Sequence, residues 1–230
     1  MITRRKDYTK HAPSKDASKI YIICEGAETE KNYFSFFEGL SSNLELIVVP
    51  PEEGMDPLKL MALAKRILLS DTGRFSLDFM QRDQIWFAID TDSWEKEGKI
   101  QPLRDFCACQ NDCIARTYSE MKPYQAWNVA QSNPCFEIWL YYHLYSTLPD
   151  EAMVRECPSM KAFVDSLIAG GFDFQKDPVR IDDAIINTET NFSRQDNGNP
   201  TLFSTEQYLL GKEIFRFVGL EIRKLRNKLG

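Results

Sequence analysis

The chain has 230 residues, of which 43% are hydrophobic and 27% charged, and its net charge is −6. This composition is typical of a globular protein with one sizeable domain and an extension, and it excludes a disordered or fibrous chain. The first 19 residues are polar and basic, unlike a signal peptide, and no apolar run reaches the roughly 18–20 residues of a membrane span. We therefore expect a cytoplasmic protein that makes no membrane contact and keeps its six cysteines reduced.

Basic residues are concentrated at the two ends of the chain. Residues 1–19 contain six lysines and arginines against two aspartates, and residues 211–230 contain six against two glutamates. The middle of the chain is correspondingly acidic. Basic ends could contact a nucleic-acid phosphate backbone, or they could be solubilising tails, and the sequence leaves both interpretations open.

Hydrophobic patterning predicts four strands, each followed by a helix. The strands are short, β-branched or aromatic runs at residues 20–24, 44–49, 84–90 and 125–130. Thr29 and Asn133 are predicted to cap the first and fourth helices, and Asp56 with Pro57 marks the start of the second. This alternation predicts an α/β fold with a mostly parallel sheet of about four strands flanked by helices.

The pattern changes after Pro149, where helical segments replace strands. We predict a basic arm at 1–18, an α/β catalytic domain at 19–150 and a C-terminal α-helical extension at 151–230. Residues 213–230 form an amphipathic basic helix that could dock on a partner or on nucleic acid, or could pack on the chain's own sheet.

Three acidic residues lie where predicted strands end. Glu25 follows the first strand, and Asp90 and Asp92 terminate the third. Because ligands of open parallel sheets gather at the carboxyl ends of the strands, these side chains are expected to converge. Clustered carboxylates repel one another, and a hard cation that binds oxygen relieves the repulsion. The sequence therefore predicts a Mg²⁺ (or Mn²⁺) site formed by these three residues.

Two further acids are candidate catalytic residues. Glu30 lies one turn into the first helix, where it could hold a metal-bound water or a basic partner, or could complement the helix dipole. Glu137 lies among aromatic residues near the fourth strand and could complete the metal site, pair with a cation or act as an N-terminal helix acid. His143 is expected to be a packed or surface residue, and Lys31 a surface residue.

Three segments of the chain resemble the RloB family. They are residues 24–34 (CEGAETEKNYF), 88–92 (AIDTD) and 133–140 (NPCFEIWL), and the sequence Asn199-Pro200-Thr201 is a less clear match. RloB-like proteins are related to the Toprim nucleases, whose site has a glutamate after the first strand and a DxD after the third. Glu25, Asp90 and Asp92 correspond to those positions. Position 94, where a longer acidic pattern would continue, is Trp94.

The resemblance implies a Toprim-like fold and a magnesium-dependent nuclease that cleaves DNA or RNA. It also implies a role in abortive-infection defence against phage, linked to restriction loci, with a partner ATPase. The alternative is a non-catalytic Toprim-like module that binds the ATPase as a sensor or scaffold.

Overall fold

Four parallel strands form one sheet in the order β2-β1-β3-β4. Their bounds are Ser18–Cys24 (β1), Leu44–Val49 (β2), Gln84–Asp90 (β3) and Trp127–Ser132 (β4). This computed structural model describes residues 10–52, 56–120, 122, 124–168 and 170–229. Residues 1–9 of the predicted basic arm lie outside the described residues. The predicted α/β fold with a four-stranded parallel sheet is confirmed.

Eight α-helices lie within the described residues. They are α1 (Thr29–Ser35), α2 (Pro57–Ala64), α3 (Ile100–Thr117), α4 (Glu137–Tyr141), α5 (Glu151–Glu156), α6 (Met160–Leu167), α7 (Ile181–Asn191) and α8 (Gln207–Leu229). A π turn at Lys65–Leu69 follows α2, and a 3-10 turn at Asp177–Arg180 precedes α7. None of the helices in these ranges is long and apolar enough to cross a membrane.

Both faces of the sheet are covered, which explains why the central parts of β1 and β3 are almost wholly apolar. Alternate residues of a strand point to opposite faces. In β1, Ile20 and Ile22 pack in the core with α1, α4, α7 and α8, whereas Tyr21 and Ile23 pack with α2 and α3. Helices therefore pack against both faces of the sheet and hold the strand ends in place.

Helix α8 contributes its apolar face to the same core as the sheet. Leu210, Ile214, Val218 and Ile222 are fully buried there, beside sheet residues such as Trp86. The sequence left open whether this helix docks on a partner or nucleic acid or packs on the chain's own sheet. In the structure its apolar face packs on the sheet.

Of the three predicted helix N-caps, one is confirmed by the structure and two are not. Asp56 caps α2 as predicted, since its carboxylate accepts hydrogen bonds from the N–H groups of Leu58 and Lys59. Thr29 is instead the first residue of α1, and α4 begins only at Glu137, after a cis peptide between Asn133 and Pro134. The predicted caps Thr29 and Asn133 are therefore wrong.

Candidate acidic site

Glu25 and Asp90 meet at the carboxyl ends of neighbouring strands, as predicted. β1 and β3 pair in parallel, and the backbone N–H of Glu25 donates to the carbonyl of Ala88 over 3.0 Å. The backbone N–H of Asp90 donates to Oε2 of Glu25 over 2.9 Å. The two residues are thus in direct contact, closer than the roughly 4.8 Å between strands.

Trp94 holds the other oxygen of Glu25. Its indole Nε1–H donates to Oε1 of Glu25 over 2.6 Å, and the glutamate side chain is 5% exposed. In the sequence, Trp94 stands out only as a departure from a longer acidic pattern. A contact between residues so far apart in the chain leaves no local sequence signal.

Glu30 turns back toward the end of β1. Its Oε1 accepts a hydrogen bond from the backbone N–H of Gly26 over 3.0 Å, and its side chain is almost fully buried. A Cβ atom at position 26 would lie 2.0 Å from Oε2 of Glu30, so the close approach requires glycine. Glu30 therefore lies within the first helical turn and beside the strand end at once.

Asp92 and Glu137 lie at the margin of this cluster. Asp92 is exposed and has a φ of +33°, in the left-handed region that residues other than glycine rarely adopt. Glu137 is half-buried in the first turn of α4, after the end of β4. Because β4 is the neighbour of β3, the five predicted acids come from three adjacent strand ends and the elements that follow them.

The acids raise one another's pKa values. Burial and then repulsion by Glu25, Glu30, Glu137 and Asp92 hold the pKa of Asp90 well above its usual range. Burial raises the pKa of Glu25 to about 7, although its hydrogen bonds oppose the shift. Burial followed by repulsion from Glu137 also raises the pKa values of Glu30 and Asp92.

Positive side chains do not compensate this charge. Among the ion pairs of the described residues, none joins a lysine or arginine to Glu25, Glu30, Asp90, Asp92 or Glu137. The charged groups that shift the pKa values of Glu25, Glu30, Asp90 and Asp92 are all acids. Within the described residues, the charge of this acidic cluster is therefore not compensated by basic side chains.

The donor set fits a hard divalent cation, but its side chains do not form a complete chelating cage. Within the described ranges, no three histidine, cysteine, aspartate or glutamate side chains are placed so that they could hold a metal ion together. Both oxygens of Glu25 already accept protein hydrogen bonds. Magnesium commonly binds through one or two carboxylates, with waters and a substrate phosphate as its other ligands.

The histidine and the lysine discussed with the acids, His143 and Lys31, do not join this cluster. His143 is fully buried, and its ring nitrogens contact the hydroxyl of Tyr33 over 3.0 Å and the carbonyl of Trp139 over 2.9 Å. Burial lowers its pKa to about 3, so the ring is neutral and packed, as expected. Lys31 is exposed.

The fold and site together define an α/β protein with an acidic cluster at the carboxyl edge of a parallel sheet. A family model described as RloB-like protein matches residues 20–214, which is most of the chain. The chain belongs to the RloB-like family. No curated protein and no solved structure matches it.

Proposed function

We propose that this protein is a magnesium-dependent phosphodiesterase that cleaves DNA or RNA. The observation that carries the proposal is the uncompensated acidic cluster built on the ends of β1, β3 and β4. Clusters that raise carboxyl pKa values so strongly are concentrated at functional sites. The earlier resemblance to the Toprim nucleases, on the same glutamate and DxD positions, supports this reaction class.

The five acids have two proposed roles, metal binding and the orientation of water. Asp90, Asp92 and Glu25 would hold a Mg²⁺ or Mn²⁺ ion, which supplies charge neutralisation at the scissile phosphate. Glu25 is oriented by the Asp90 N–H and by Trp94, and a bound ion would have to share its oxygens with these two donors. Glu30 and Glu137 would orient water at the edge of the site and keep its potential negative.

The substrate would be bound by the basic parts of the chain. The acidic cluster itself repels a phosphate backbone, so attraction must come from residues outside it. The N-terminal arm is rich in lysine and arginine and is the candidate for this contact. We further propose the family's role in abortive-infection defence against phage, together with a partner ATPase.

A second candidate function is a non-catalytic module that binds the partner ATPase as a sensor or scaffold. The observation that favours it is the engagement of both Glu25 oxygens within the protein, together with the incomplete chelating group in the described residues. In this case the acids would form part of a docking surface instead of holding a reactive metal.

Cleavage and metal binding separate the two functions. Purified protein is incubated with labelled single- and double-stranded DNA and RNA, with Mg²⁺, Mn²⁺ or a chelator, and Mn²⁺ binding is measured by titration. We expect metal-dependent cleavage that Asp90→Asn and Asp92→Ala abolish and Asp112→Asn, an exposed change on α3, leaves intact. Wild-type protein that neither binds Mn²⁺ nor cleaves any substrate, alone or with its ATPase, would leave the scaffold function.

A further inference from the structure

The loop that carries Asp92 is held from several directions. It connects β3 to α3, and its residue Asp92 has the left-handed φ of +33°. Aspartate adopts this region more readily than most residues other than glycine, and contacts on both sides of the loop hold it here. On one side, the backbone N–H of Thr91 donates to the carbonyl of Ser132 over 2.8 Å. On the other side, Trp94 donates a hydrogen bond to Glu25, and the neighbouring Glu95 accepts one from Asn197.

Glu95 is held by a tight hairpin from the C-terminal part of the chain, residues 193–201. Arg194 and Pro200 form an antiparallel bridge, and the N–H of Gln195 donates to the carbonyl of Asn199 over 2.8 Å. Gly198, with a φ of +83°, supplies the positive φ at its tip. The hairpin contains Asn199-Pro200-Thr201, the less clear match to the RloB family.

The hairpin is itself fixed to the carboxyl end of β4. The guanidinium of Arg194 lies 2.7 Å from Oε1 of Glu206, a side chain that is 1% exposed. The N–H of Glu206 donates to the carbonyl of Gln131 in β4 over 2.8 Å. The side chain of Asn133 donates to the carbonyl of Pro200 over 2.9 Å. The hairpin is thus a rigid support and not a free surface loop.

From this support, two side chains reach the loop after β3. The amide nitrogens of Asn197 and Asn199 donate to the same atom, Oε1 of Glu95, over 2.7 Å and 3.0 Å. Glu95 is three residues from Asp92 and directly follows Trp94. One carboxylate oxygen therefore joins the C-terminal part of the chain to the strand-end acids.

We infer that Glu95, Asn197 and Asn199 are positioning residues of the acidic site, and that hairpin 193–201 fixes the loop that presents Asp92. This inference rests on the proposed function for its chemical consequence, metal binding. Groups that orient metal ligands from outside the coordination sphere commonly change metal affinity by about 10- to 100-fold. The C-terminal part of the chain is then a component of the site as well as of the core.

Two substitutions at one position test the inference with matched charge. Glu95→Ala removes the acceptor of both asparagine amides, whereas Glu95→Gln is equally neutral but keeps a carbonyl oxygen that can accept both. In the full-length protein, we expect Glu95→Ala to weaken Mn²⁺ binding by about tenfold or more and Glu95→Gln to stay within about threefold of wild type. The double change Asn197→Ala with Asn199→Ala should reproduce the Glu95→Ala effect.

Hydrogen exchange of the amides in residues 92–98, measured without metal, makes the test independent of the proposed function. Exchange should be faster by on the order of tenfold in Glu95→Ala and unchanged in Glu95→Gln, with the amides of β3 unaffected in both. Equal exchange in wild type and Glu95→Ala would overturn the inference, as would equal Mn²⁺ affinity where wild type binds the ion. Faster loop exchange in a protein that binds no Mn²⁺ would support the positioning role and count against the proposed function alone.

Discussion

The acidic site should make the metal-free protein less stable as the pH rises. The pKa of Glu25 is raised from 4.5 to about 7 in the folded chain, mainly by burial. The folded state therefore binds a proton that the unfolded state releases, and the free energy of unfolding falls between pH 4.5 and 7. For this single, almost fully buried group the fall amounts to about 3 kcal/mol. Adding Mg²⁺ at pH 8 should restore part of the loss, because the ion binds the ionised carboxylates of the folded state.

Urea unfolding between pH 5 and pH 8 in a chelator measures this fall, and Glu25→Gln is the matched control. Glutamine cannot titrate, so its curve should fall less steeply than that of wild type, with a difference of about 2.5 kcal/mol between pH 5 and pH 8. Glutamine also offers only one oxygen to the two donors at this position, the Asp90 N–H and Trp94. That loss costs about 1 kcal/mol at every pH and does not change the slope. Parallel curves for wild type and variant would refute the reasoning.

Three further predictions concern the site and the core. Trp94→Phe removes the donor that lowers the pKa of Glu25, so Mn²⁺ affinity should fall at pH 7 and recover toward wild type at pH 8.5 in parallel titrations. If wild type and Trp94→Phe bind Mn²⁺ with equal affinity at both pH values, Trp94 does not tune the pKa of Glu25. Mn²⁺ affinity of wild type should itself rise with pH through about 7, with proton release seen by calorimetry in two buffers; a flat profile would contradict the Glu25 titration. Ile214→Ala should lower the unfolding free energy by about 2–5 kcal/mol, whereas Leu220→Ala, on the exposed face of α8, should change it by less than about 0.5 kcal/mol; equal effects in urea melts would deny α8 its place in the core.

The strands and the position of the main acids could be predicted from the sequence. The bounds of β2 and β3 agree with the apolar runs at 44–49 and 84–90. The apolar run of the central strand β3 is a clear strand signal because both faces of the sheet are covered there, and six of its seven residues are buried. The residues that follow β1 and end β3 then necessarily lie at one edge of the sheet, which brings Glu25 and Asp90 together.

Elements stabilised by tertiary contacts were not predictable in the same way. Helix α7 spans Ile181–Asn191, and its last five residues are all polar, so the sequence has no apolar periodicity there. Its amphipathic pattern is weak, and it is held by packing against α8 and α4. The start of α4 was also missed, since its N-cap position is occupied by Phe136 without a side-chain cap.

The sequence by itself determined a parallel α/β sheet and the carboxylates at its carboxyl edge, because both follow from local periodicity and strand order. Only the tertiary structure decided how those carboxylates are held. Trp94 reaches Glu25 across 69 positions in the chain, and Asn199 reaches Glu95 across 104. Neither contact has a local pattern, since each depends on where distant segments pack against the sheet. The same reason applies to α8. Its amphipathic pattern fits a partner and the chain's own core equally well, and only the position of the sheet shows that it packs in the core.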